Sequence, residues 1–69
     1  MVEVFKTDVE QTEQSEMLIN QIICHIPNSQ INFDLEDCDR ILRVEAESIS
    51  SQTIIELLNQ NGFHAEVLI

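Results

Sequence analysis

Cys24, Cys38, His25 and His64 are the side chains of this chain best suited to holding a soft metal ion or attacking an electrophile. Their spacing supports neither. Metal-binding thiols and imidazoles recur in pairs such as C-x-x-C or H-x-x-x-H, because a short turn then aims both donors at one ion; no such pair occurs here. Cys24 and His25 are adjacent, and neighbours on a helix diverge by about 100°, so the thiol gains no base from the imidazole. The run Asp34-Leu35-Glu36-Asp37-Cys38-Asp39 suggests a hard cation instead. Asp34, Glu36 and Glu45 match ligand positions of a calcium loop, but Cys38 fills the third ligand position and Asp39 stands where the turn needs glycine. Gly62 is the chain's one glycine, so no glycine-rich loop can cradle a phosphate. These residues define no catalytic residue, no cofactor-binding residue and no metal ligand, and the chain does not read as an enzyme.

The secondary structure around these groups follows from hydropathy. Val2 to Thr7 reads as a strand rich in strand formers. Thr12 is placed to cap a helix with Glu13 and Glu16 in its first turn, where the helix dipole favours acids. That helix runs to about Ile26, with Ile19, Ile22, Ile23 and Ile26 on one face, until Pro27 and Asn28 stop it. Ile31, Phe33 and Leu35 alternate with polar residues, as do Leu42, Val44 and Ala46; the polar turn Asp37–Asp39 joins them into a hairpin. Arg40 and Arg43 are placed to offset its acids Asp34, Glu36, Asp37 and Asp39. Ser50 is the expected cap of a second helix, with Ile49 and Ile54 forming a staple across its start, and Ile54, Leu57 and Leu58 facing inward. Gly62 is the expected left-handed stop, and Ala65, Val67 and Ile69 mark a last strand. The order is βαββαβ in one domain, residues 1–69. Two helices and four strands bury everything only as an α+β ferredoxin-like sandwich: a four-stranded antiparallel sheet with both helices on one face. The other face, with Asn32, Asp34, Arg43, Glu45 and Glu66, is left to solvent.

Bulk composition narrows the partners. Hydrophobic residues make up 43% of the chain, enough for a core. Thirteen acids against three bases give a formal charge of −10, which repels nucleic acid and anionic membrane surfaces and suits a basic protein or a cation. The RNA-recognition fold shares this element order but needs sheet aromatics and basic charge; Phe5, Phe33 and Phe63 all read as core. Glu3, Asp8 and Glu10 near the start argue against a secretory signal, no run is long enough to span a membrane, and two cysteines are too few to staple a secreted scaffold. A Cys24–Cys38 disulfide stays open. The expected location is cytoplasmic.

With its order in place, the chain resembles the heavy-metal-associated domain family over nearly its whole length. Ile19 through Pro27 resembles that family's first helix ending in an Ile-Pro step, Ile31-Asn32-Phe33-Asp34-Leu35 its second strand, Ser50 through Ile55 the start of its second helix, and Gly62-Phe63-His64-Ala65-Glu66-Val67 its Gly-aromatic close. The family's Met-X-Cys-X-X-Cys motif would fall on Glu10, Thr12 and Ser15, and the stretch Glu10-Gln11-Thr12-Glu13-Gln14-Ser15 holds no sulfur. Copper(I), zinc and cadmium ask for paired soft thiolates, and hydroxyls do not replace them. Thr12 and Ser15 are therefore expected to cap and brace the helix. The resemblance implies a binding or interaction module that has lost soft-metal binding, needs no cofactor, and meets a protein partner, basic or a second copy. The alternatives are weak or partner-assisted metal-ion transport, and a small-molecule regulatory domain; for both, Thr7 to Glu16 is the face of interest.

Overall fold

The computed structural model describes residues 1–68. The element order is β1 (Val2–Thr7), α1 (Thr12–His25), β2 (Gln30–Asp34), β3 (Ile41–Glu45), α2 (Ser51–Gln60) and β4 (Ala65–Leu68). The strands form one sheet in the order β2-β3-β1-β4, with every neighbouring pair antiparallel. This is the ferredoxin-like α+β sandwich that the hydropathy pattern demands. Ile69, which the pattern adds to the last strand, lies outside the described residues.

Alternation along the strands decides which face is covered. Phe5 and Thr7 of β1, Leu42 and Val44 of β3 and Ala65 of β4 are buried, and their neighbours in sequence are not. The helices cover that face with Leu18 and Ile22 from α1 and Ile54, Leu57 and Leu58 from α2, and Val9 adds a fully buried side chain from the loop after β1. Each such side chain stabilises the fold by about 1.5–3 kcal/mol through burial. Phe33 and Phe63 pack half-buried at the rim of this core. On the uncovered face Asn32, Asp34, Arg43, Glu45 and Glu66 are exposed, as expected.

Three details depart from the sequence pattern. First, α1 is turned. Ser15, Leu18 and Ile22 are its buried residues, Ile19 and Ile26 are half-buried, and Ile23 is 42% exposed. Relative to the isoleucine stripe this is a rotation of roughly 60°, at about 100° per residue. It brings the small Ser15 against the sheet and turns Gln21 toward α2. There the Gln21 and Asn61 amides pair reciprocally: Asn61 Nδ2 donates to Gln21 Oε1 at 2.8 Å and Gln21 Nε2 donates to Asn61 Oδ1 at 3.2 Å. Second, the cap of α1 is Gln11, not Thr12. Gln11 holds the extended backbone (φ −113°, ψ 142°), and its amide donates to Gln14 Oε1 at 3.2 Å, while Thr12 is already helical. Third, Arg40 and Arg43 form no ion pair with the hairpin acids among the described residues. Arg40 reaches instead to Glu10, Nη2 to Oε1 3.8 Å, and Arg43 stands opposite Asn32. The second helix starts as expected, with Ser50 Oγ accepting from the Thr53 amide at 3.4 Å. It ends near Gly62, whose φ of +86° suits glycine.

Candidate functional site

One end of the sheet gathers some of the groups the sequence marks out, Cys38 and His64 among them, but not Cys24 and His25. The end of β1 is tied on one side to the β2–β3 turn. Thr7 N donates to Asp39 O at 3.1 Å, and Thr7 Oγ1 donates to Arg40 O at 2.6 Å while accepting from Val9 N at 3.3 Å. On the other side the Asp8 carboxylate accepts from His64 N at 2.8 Å. The loop leading into α1, the acidic turn and the start of β4 are therefore neighbours. Sequence spacing gives no sign of this, because backbone and carboxylate contacts of the connecting loops create it.

Of the positions to which the resemblance points, Glu10 lies in this loop and Thr12 and Ser15 in the first turn of α1, and they form no donor pair. Thr12 is exposed. Ser15 is 5% exposed, and its hydroxyl donates to the Thr12 carbonyl at 2.7 Å, turned into the helix rather than toward the loop. Glu10, at the methionine position, pairs with Arg40 across an exposed 3.8 Å contact worth well under about 1 kcal/mol. This donor set is hard and diverging, and it does not fit a soft ion. The hydroxyl of Ser15 braces the first turn, as expected; Thr12 contributes its carbonyl rather than a side-chain cap.

Among the described residues, one set of three groups has ligand atoms within 4.8 Å of one another: Asp37, Cys38 and Asp39. These residues form the polar turn expected between β2 and β3. Asp37 Oδ1 accepts from Asp39 N at 2.9 Å, Arg40 N donates to Asp37 O at 3.0 Å, and Arg40 takes a left-handed φ of 45° to close the turn. Asp39 Oδ1 lies 3.8 Å from Lys6 Nζ. Two of the carboxylate oxygens are thus engaged within the fold. The remainder falls short of the four ligands of a zinc site and of the six to eight oxygens of calcium. The signal for the grouping was the consecutive Asp-Cys-Asp itself, which bends back on one turn.

Cys24 and Cys38 are free and exposed, which leaves the open question of a disulfide answered in favour of thiols. Cys24 and His25 sit at the far end of α1 from the motif loop. There an open groove of about 410 Å³ runs between the end of α1 and the start of α2, lined by His25, Ile26, Pro27, Ala46, Glu47, Ser48, Ser50 and Thr53. No helix among the described residues is long and apolar enough to cross a membrane. Set against protein-family models, curated proteins and solved structures, the chain shows no significant match.

Proposed function

We propose that this chain is a small interaction module: a ferredoxin-like domain resembling the heavy-metal-associated family, without its soft-metal chemistry, that acts through protein contacts in the cytoplasm. One observation carries the reading. At the positions where the resemblance calls for converging thiolates, Ser15 is buried with its hydroxyl committed to the Thr12 carbonyl at 2.7 Å. The intact core beside that altered loop supports a domain kept for its surface. The charge of −10 favours a basic partner wherever the surface is acidic. No nucleophile–base pair or phosphate-binding loop supports catalysis.

The metal-handling alternative keeps one foothold, the Asp37–Cys38–Asp39 turn, which a partner's thiolate would have to complete. The groove beside Ser50 is the corresponding foothold for small-molecule regulation, but five of its eight lining residues are polar or charged, unlike the mostly apolar pockets that hold such ligands. The test is a titration of the reduced protein with Cu(I) and Zn(II) against a competing chelator. The proposal expects no stoichiometric site tighter than micromolar; such a site would overturn it.

A further inference from the structure

The uncovered face of the sheet is not uniformly polar. Val2, Val4 and Lys6 of β1, Ile41, Arg43 and Glu45 of β3, and Glu66 and Leu68 of β4 point to it, opposite in parity to the buried Phe5, Leu42 and Ala65. Val4 stands directly across from Leu68 on one side and from Arg43 on the other, and Ile41 is the next outward residue on β3 after Arg43. Cross-strand and diagonal neighbours of this kind lie within side-chain reach. Val4, Ile41 and Leu68 therefore form one apolar centre, half-buried by its neighbours, with Val2 extending it at 44% exposure.

Charge singles out the same face. It holds two of the chain's three bases, Lys6 and Arg43, and three of its thirteen acids, Asp34, Glu45 and Glu66. It is nearly neutral, whereas the remainder of the molecule carries ten acids and one base. A basic partner would be drawn to that remainder. A second copy, carrying the same −10, meets less repulsion on this face than over the acidic loops around the end of β1 and the β2–β3 turn.

We propose that a second copy of this chain docks on this face, sheet against sheet about a two-fold axis through the apolar centre, with Arg43 of each copy meeting acids of the other while Lys6 stays beside Asp39 of its own chain. This deepens the interaction-module reading and rests on it. Four strands about 4.8 Å apart and some five residues of about 3.3 Å rise give a face of roughly 300 Å² in projection. Standard interfaces bury roughly 800 Å² per partner, so the dimer is weak and concentration-dependent. Its salt dependence is distinctive. Shrinking the Debye length from about 10 Å at 0.1 M to about 3 Å at 1 M screens the repulsion between the acidic remainders more than it weakens contacts inside the interface. Association therefore strengthens with salt.

The test is sedimentation equilibrium of the reduced full chain from about 10 µM to about 1 mM, the range open to an interface below standard size, at low and high salt. Amide shifts are followed over the same series. The proposal expects the average mass to climb toward that of a dimer, more so in high salt, with shifts concentrated in Val2–Lys6 and Ile41–Glu45. Ile41→Glu, which puts a charge into the patch, should weaken association by about tenfold or more, and Arg43→Glu, which reverses the charge directly across from Val4, should weaken it as well. A monomer throughout, association that falls with salt, or association indifferent to both substitutions overturns the proposal. A monomer whose same amides shift with a basic peptide also overturns it, while leaving the interaction-module reading standing. A tight Cu(I) site would sink that reading and leave this one.

Discussion

Ile22 and Ile23 are adjacent, chemically identical and equally apolar in sequence, yet the structure gives them opposite energetic weight. Ile22 is fully buried between α1 and the sheet, and Ile23 is 42% exposed. Truncating a fully buried isoleucine to alanine costs about 2–5 kcal/mol, the lost transfer energy plus the cavity left behind, and Ile22→Ala is expected near the middle, about 3–4 kcal/mol. Ile23 leaves no enclosed cavity, so Ile23→Ala loses only part of its transfer energy, about 1 kcal/mol or less. A 69-residue domain has on the order of 3–10 kcal/mol of stability in all, so Ile22→Ala brings it near the edge of unfolding. Urea unfolding followed by circular dichroism separates the two. With a slope of about 1 kcal/mol per molar for so small a chain, Ile22→Ala lowers the midpoint by about 3 M and Ile23→Ala by under about 1 M. Equal losses, or a larger one for Ile23, would refute the rotation of α1 described above.

Two further substitutions test the joints of the fold. Thr7→Val removes a hydroxyl that serves both the Arg40 carbonyl and the Val9 amide; leaving those partners unsatisfied costs about 1–3 kcal/mol, read as a fall in thermal midpoint, and a neutral result would deny the hydroxyl its bridging role. Asn61→Ala and Gln21→Ala break one amide pair from either side. Their double-mutant cycle should show a coupling of about 0.5 kcal/mol or more, and strict additivity would show that the pair contributes nothing to holding α1 against α2.

The strands and the second helix were legible because each carries one unambiguous signal. Ile31 and Phe33 alternate with polar residues, and Ser50 precedes a stripe of Ile54, Leu57 and Leu58 with Ile55 alone at its edge. The first helix offered too many isoleucines: 19, 22, 23 and 26 make a convincing face alone, and only the sheet beneath selects Leu18 and Ser15 instead. Its cap was misplaced for a related reason. Thr12 has the better side chain, but Gln11 has the backbone, and Gln14 supplies the hydrogen bond. The meeting of Asp8, Asp39 and His64 around the end of β1 was hidden because it depends on how the loop after β1 and the β2–β3 turn bend beyond the sheet, which no local pattern encodes. Ile41 and Leu68 are apolar residues on the outward side of their strands, and the open face they share exists only once β3, β1 and β4 lie side by side.

The claim on which the functional account rests is that the start of α1 has no grip on a soft ion. Amide-resolved NMR of the reduced, isotope-labelled protein during stepwise addition of Cu(I) tests it at the residues concerned. The account predicts that resonances from Gln11 to Glu16 stay in place through several equivalents, with the Ser15 hydroxyl still turned into the helix. Shifts in that segment that saturate at one equivalent, at protein concentrations too low for dimers, would contradict it.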